Sequence, residues 1–254
     1  MTKLALIGAG NMARAMARGW RAGEGGPAEI VVCDSGSGRA EILAAEAGAV
    51  AVGSASEAFS QADTAVLAVK PAALETVAGE SGGFSGTVVS LLAGTDLSRL
   101  DAAFPDAKCI RVMPNVAVEK RRGVLCWASA SGGLNDEVGE YLRVLGLVVE
   151  IPERLFDAAT AIMGCTPAYF ALVAEAVADA GVRGGLGEEL ANQMVIETLA
   201  GTAELLQDRD TLAVRRAVTS PGGSTSAGLA ALERGAIRAA FAEAVAASIA
   251  RMQE

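Results

Sequence analysis

The N-terminal residues Lys3-Leu4-Ala5-Leu6-Ile7-Gly8-Ala9-Gly10-Asn11-Met12-Ala13 set the architecture of this chain. Lys3–Ile7 is a short apolar run stopped by glycines, and Asn11–Ala22 repeats apolar side chains at helical spacing. Between them stands G-x-G-x-x-A. Gly8 permits a tight turn, Gly10 lets the backbone approach a pyrophosphate, and Ala13 replaces the third glycine where helix meets strand. Phosphates would rest on the exposed N–H groups of the helix N-terminus, where the dipole favours anions. The pattern alone is weak. A strand before it, a helix after it and an acidic residue about twenty positions on make it a dinucleotide-binding turn. Ile7, Gly8, Ala9, Gly10, Asn11 and Met12 are the first candidate cofactor-binding residues.

The acidic residue is Asp34, closing a second apolar run, Glu29–Cys33. A carboxylate there would hydrogen-bond a ribose 2′-hydroxyl and repel a 2′-phosphate, which favours NAD. Ser35, Ser37 and Arg39 follow at once and suit a 2′-phosphate instead, and Asp34 also suits a plain turn or helix cap. NAD and NADP both stay open. Asp34 and Ser35 join the cofactor candidates.

The alternation continues. Arg39–Ala47 reads as a helix, Ala49–Val52 as a short strand, and Thr64–Val69 as a continuous apolar strand stopped by Lys70-Pro71. Strands are expected at Thr87–Leu92, Lys108–Val112 and Gly123–Ala128, with helices over Ala72–Ala78 and Leu97–Phe104. Apolar runs without alternation fit strands buried on both faces, as in a parallel sheet covered by helices. The rhythm predicts an α/β, Rossmann-type doubly wound sheet. Val69, Lys70 and Pro71 end the fourth strand, and Ala93 and Gly94 end the fifth. They border the crevice where such a sheet holds its ligand, so they are cofactor candidates too, Lys70-Pro71 chiefly as shapers of the loop.

After Leu147–Ile151 the character changes. Leu155–Met163, Ala168–Ala180, Gly187–Gln207, Thr211–Ala217 and Ser226–Met252 read as helices, rich in Ala and Leu. They lack a clean polar face, which predicts burial against a second copy of the chain. The expected domains are residues 1–152, binding the dinucleotide, and residues 153–254, an all-helical dimerisation and substrate-binding domain. Ser220-Pro221-Gly222-Gly223-Ser224-Thr225 opens the last helical segment. Its free backbone and hydroxyls suit a small carboxylate, or equally an ordinary Ser/Thr helix cap.

Bulk properties narrow the chemistry. The 254 residues are 52% hydrophobic and 20% charged, with 30 glycines and 7 prolines, which fits a core-forming chain. A net charge of −9 disfavours nucleic acid and anionic membranes. The one basic run, Lys120-Arg121-Arg122, is expected to be a solvated loop. Cys33, Cys109, Cys126 and Cys165 are widely spaced and there is no histidine, so neither a metal site nor a disulfide is expected, only buried reduced thiols. Ala5–Gly10 is too short for a signal peptide, and no uninterrupted apolar run reaches about 18 residues. The expected compartment is the cytoplasm.

Five fragments in order, IGAGNMARA (7–15), AVKP (68–71), RVMPN (111–115), PAYF (167–170) and VTSPGGSTSAGLAALE (218–233), resemble the pyrroline-5-carboxylate reductase family. The resemblance implies NAD(P)H-dependent reduction of 1-pyrroline-5-carboxylate, a cyclic imino acid, to proline. It also implies a helical domain that interlocks with a second subunit in a homodimer or higher assembly, with each active site between one chain's cofactor domain and its partner's helical domain. Ser220, Gly223, Ser224 and Thr225 would hold the substrate carboxylate, with Thr225 beside the ring nitrogen as the catalytic hydroxyl. Glu153 falls where the family places an acidic residue near the substrate. The chain departs from the family's usual MPNTP at Val116-Ala117 and from GSGPAY at Cys165-Thr166. Two other readings remain: a related imine or 6-phosphogluconate-dehydrogenase-like reductase, and a non-catalytic dinucleotide-binding paralogue. The helix expected over Leu155–Met163 has no lysine, which counts against a hydroxyacid dehydrogenase.

Overall fold

A computed structural model describes residues 3–130, 132–134 and 136–253. The chain forms two compact units, residues 1–165 with 249–254, and residues 166–248.

In the first unit the order is β1 (Lys3–Ile7), α1 (Asn11–Arg21), β2 (Glu29–Cys33), α2 (Arg39–Ala47), β3 (Val50–Ala51), α3 (Ala55–Ser60), β4 (Thr64–Leu67), α4 (Leu74–Gly79), β5 (Thr87–Ser90), α5 (Leu97–Ala103), β6 (Lys108–Pro114), β7 (Gly123–Ala128), α6 (Asp136–Leu145), β8 (Gly146–Glu150) and the one-turn α7 (Phe156–Ala159). Among the described residues the strands form one sheet in the order β3-β2-β1-β4-β5-β6-β7-β8. Strand residues alternate between its two faces. Leu4, Leu6, Val32, Val66 and Val112 pack against α1, α2 and α6, while Ala5, Ile7, Cys33, Leu67 and Val88 pack against α3, α4 and α5. Helices on both faces make the sheet doubly wound, and burial of both faces explains the uninterrupted apolar strands.

The sheet is parallel except where β6 meets β7, which run antiparallel. This corrects the expectation that β7 continues the parallel series. The connection holds only a short 3₁₀ turn, Val116–Lys120, and a parallel return needs about a dozen residues or more. The next link contains α6, long enough for a crossover, and β7 and β8 are parallel again.

The basic run is not simply solvated. Arg121, at φ 55°, turns its guanidinium onto the end of α1 and the turn after it, donating to the carbonyls of Gly19 (Nε, 2.8 Å) and Glu24 (Nη2, 2.8 Å). Cys33, Cys109 and Cys126 are buried free thiols as expected, but Cys165 is only half-buried.

The helix expected over Leu155–Met163 is irregular: a 3₁₀ turn at Glu153–Leu155, then α7, then a π turn at Thr160–Gly164. The Cys165 amide bonds the Thr160 carbonyl at 3.1 Å, five residues back, which inserts the extra residue.

The second unit contains α8 (Thr166–Arg183), α9 (Glu188–Asp208), α10 (Thr211–Ala217), α11 (Ser224–Arg234) and the start of α12 (Ile237–Met252). The single helix expected over Ser226–Met252 is therefore two. Gly235 caps the end of α11, and Ala236 after it takes a left-handed φ of 55°, the conformation in which helices commonly stop. Within the unit, the Tyr169 hydroxyl reaches Ser248 Oγ at 2.6 Å, tying α8 to α12. Its helices bury little: Leu172, Val177, Leu190, Met194 and Ile196 are all half or more exposed. The run Glu153–Arg183 is, by length and composition, long and apolar enough to cross a membrane, although no unbroken apolar stretch in it reaches about 18 residues.

Candidate functional site

The carboxyl ends of β1, β2, β4 and β5 define the crevice at which a doubly wound sheet receives its ligand. Ile7 ends β1 and Gly8 follows at φ 107°, a conformation that favours glycine. The Gly8 amide bonds the Cys33 carbonyl at 2.9 Å, joining the first turn to the end of β2. A Cβ on Gly8 would lie 2.7 Å from the Ala68 carbonyl oxygen, so packing against the end of β4 also demands glycine. Gly10 differs. A Cβ there would meet only Ala68 O, at 3.9 Å, so the protein itself leaves the space over this glycine open. Gly10 is the N-cap of α1, with no side chain capping the helix and no acidic residue in its first turn. Asn11 and Met12 begin that turn, and Ala13 is fully buried against the sheet. An open cradle over uncapped amide donors fits a dinucleotide pyrophosphate.

Asp34 lies half-buried at the end of β2, with Ser35 exposed beside it. Its Oδ1 accepts from the amides of Gly36 (2.8 Å) and Ser37 (3.2 Å), and its Oδ2 from the Arg39 amide (2.9 Å) and the Ser37 hydroxyl. The Ser37 hydroxyl, and then these amides, hold the carboxyl below the usual range. Asp34 thus organises its own loop, which the sequence offered only as one of its alternatives.

Val69 packs beside Gly8, and Lys70 is exposed at the start of a 3₁₀ turn, Pro71–Ala73. Ala93 and Gly94 are exposed just past β5, with Gly94 at φ 66°. These residues, Asp34 and the glycine turn border one end of the sheet.

Glu153 is half-buried, and its Oε1 accepts from the Leu97 amide (2.7 Å) and from Arg111 Nη1 (3.1 Å). Arg111 is 5% exposed, and its guanidinium lies 4.5 Å from the centre of the Phe156 ring. Sequence reasoning missed Arg111 as a partner; a charge inside an apolar strand was the available signal. It also missed Asn115, whose buried side-chain amide donates to the Met163 carbonyl (3.0 Å) and accepts from the Val124 amide (3.3 Å). Asn115 thereby fastens the π turn that precedes Cys165-Thr166. Val116, at one departure from the family pattern, is exposed.

In the second unit Ser220 is exposed, Gly222 takes φ 71°, and the Gly223 amide bonds the Ser220 carbonyl at 3.1 Å. Gly223 is the N-cap of α11, again with no side-chain cap, so Ser224 and Thr225 open the helix two residues earlier than expected. The turn is therefore not an ordinary Ser/Thr cap. It leaves helix N-terminal donors free for an anion, with Thr225 half-buried among them.

Known proteins share this arrangement from end to end. A pyrroline-5-carboxylate reductase of Synechocystis sp. is 36% identical over 260 aligned residues, covering 99% of this chain and 97% of its own. The chain belongs to the pyrroline-5-carboxylate reductase family. A second member, from Thermus thermophilus, is 37% identical and covers 99% of this chain and 98% of its own. A sequence profile for pyrroline-5-carboxylate reductase dimerisation matches residues 153–254, and one described as NADP oxidoreductase, coenzyme F420-dependent, matches residues 3–94. The solved Plasmodium falciparum pyrroline carboxylate reductase with NADP bound superposes with a TM-score of 0.88 at 27% identity, covering 99% of this chain and 97% of that one.

Proposed function

We propose that this member of the family reduces 1-pyrroline-5-carboxylate to L-proline with NADPH or NADH, the last step of proline synthesis. The observation that carries the reading is the pair of glycine-capped helices, α1 at Gly10 and α11 at Gly223, each without a side-chain cap. One offers an open backbone cradle suited to a pyrophosphate, the other a donor-rich turn suited to a small carboxylate.

When bound, the dinucleotide supplies a hydride to the C=N carbon of the ring. Ser220, Gly223, Ser224 and Thr225 hold the substrate carboxylate through backbone N–H groups and hydroxyls. The Thr225 hydroxyl steadies the proton on the ring nitrogen. Because the protonated imine is already electrophilic, positioning supplies most of the catalysis, and a chain without histidine suffices. Ile7–Met12, Asp34-Ser35, Val69–Pro71 and Ala93-Gly94 line the cofactor side.

The functional division falls at Pro152–Glu153. The exposed apolar side chains of α8 and α9 are the surface by which two copies join, so the working form is a homodimer or an assembly of dimers, in the cytoplasm. The apolar run Glu153–Arg183 is read as part of that surface rather than as a membrane span.

The deciding experiment follows oxidation of NADPH and of NADH with 1-pyrroline-5-carboxylate, beside a panel of other cyclic imines. Turnover to proline is expected. Preference for another imine would reassign the substrate, and no turnover with any imine would leave only a dinucleotide-binding role.

A further inference from the structure

The carboxylate of Glu153 reaches back to the loop that follows β5. Its Oε1 holds the Leu97 amide at 2.7 Å, 56 residues away in sequence, and Arg111 Nη1 at 3.1 Å. Arg111 lies within β6, paired with Ser90 of β5, and its buried side chain requires a nearby counter-charge. Glu153 provides that charge while accepting from the backbone.

The loop is short and stiff. Thr95 is fully buried, Leu97 is 6% exposed, and Asp96 caps α5 by accepting from the Arg99 amide at 2.8 Å. Only Thr95 and Asp96 separate the held amide from Gly94, which stands exposed at the crevice with Ala93. A displacement of the Leu97 amide would therefore carry through to Ala93-Gly94.

We infer that Glu153 is a positioning residue for the dinucleotide: fixed by Arg111, it sets the Leu97 amide and so holds Ala93-Gly94 in place at the crevice. The inference rests on the dinucleotide reading above and gives Glu153 a role other than direct contact with the imine. Arg111 acts as the second half of the clamp, through its ion pair and its stacking on Phe156.

The test is direct binding of NADPH, measured by its fluorescence without substrate, on wild type and Glu153→Ala, Glu153→Gln and Glu153→Asp. Wild-type binding is the control, and its absence would overturn the dinucleotide reading itself. Glu153→Ala, which removes the acceptor, should raise the Kd roughly tenfold, the scale of one charge-assisted hydrogen bond. Glu153→Gln keeps an acceptor for Leu97 but leaves buried Arg111 without its counter-charge, so its Kd should rise as well, by less than in Glu153→Ala. Glu153→Asp keeps a counter-charge beside buried Arg111, and hence the fold, but is one methylene shorter, so its Kd should rise in the same direction as Ala. Kd values equal to wild type in both the Ala and Asp variants, with a raised KM for the imine, would overturn the inference in favour of direct substrate contact.

Discussion

The backbone amide of Arg39 donates to Asp34 Oδ2 at 2.9 Å, filling an acceptor position that a ribose 2′-hydroxyl would otherwise use. With Gly36, Ser37 and the Ser37 hydroxyl also bonded, the carboxylate's roughly four lone-pair positions are taken. Arg39 and Ser37 themselves remain exposed at the loop. NADPH is therefore expected to give the higher kcat/KM. Arg39→Ala should lower kcat/KM for NADPH about tenfold and leave that for NADH nearly unchanged, since only a 2′-phosphate would meet the guanidinium. Steady-state kinetics with both cofactors decides it.

Gly8→Ala places a Cβ 2.7 Å from the Ala68 carbonyl oxygen at a φ of 107°. Strain at such a position costs about 1–3 kcal/mol, before the clash is added. The denaturation midpoint should fall, and NADPH binding should weaken more than tenfold, about 1.4 kcal/mol or more. Gly10→Ala, with its nearest atom at 3.9 Å, should keep the stability within about 1 kcal/mol and lose only binding.

Thr225→Val keeps the volume of the side chain and removes its hydroxyl. If that hydroxyl bonds the protonated ring nitrogen, kcat/KM for the imine should fall about tenfold to a hundredfold, as for hydrogen bonds to charged groups. The Kd for NADPH should not change. Unaltered kcat/KM would remove Thr225 from the chemistry.

Burial pushes the thiol of Cys33 up to about 11 and that of Cys109 up to about 12, from an ordinary value of 9.0. A raised thiol pKa contributes stability that is fully present below the unfolded value and is lost as pH climbs toward the folded one. Tm should hold to about pH 9 and then decline toward pH 12, as the unfolded chain alone releases these protons. The double variant Cys33→Ala/Cys109→Ala should start from a lower Tm but show a flatter alkaline slope in thermal melts.

Val177 and Met194 are each 53% exposed on facing helices of the second unit, lining a groove of about 380 Å³ with Ala174, Ala178 and Ala191. Val177→Asp would place a charge in the proposed interface between copies, where an unpaired buried charge is strongly unfavourable. Light scattering should show a shift to monomer, with loss of turnover but a cofactor-binding unit that still takes up NADPH.

Some of this was legible from local signals and some was not. The turn at Gly8–Ala13, the buried strands and the helices on either side follow from short-range periodicity and glycine chemistry. The antiparallel β7 was legible in principle from the eight-residue link 115–122, too short for a parallel return. The break at Gly235-Ala236 was not, because one glycine inside an Ala-rich helical pattern is compatible with either continuation or a stop.

What the sequence determined by itself was the alternation of buried strands and helices through the first six strands, the glycine cradle of α1 and the glycine-rich turn at Ser220–Thr225. Each depends on residues within a few positions of one another, so backbone conformation and turn chemistry suffice. What only the tertiary structure decided was where the distant carboxylate is spent. Asp34 serves its own loop through donors two to five residues on, a choice local turn chemistry already offered, whereas Glu153 is committed to Leu97 and Arg111, 56 and 42 residues away. A carboxylate bonds whichever donors the folded chain brings within about 3 Å, and no local pattern records which those are.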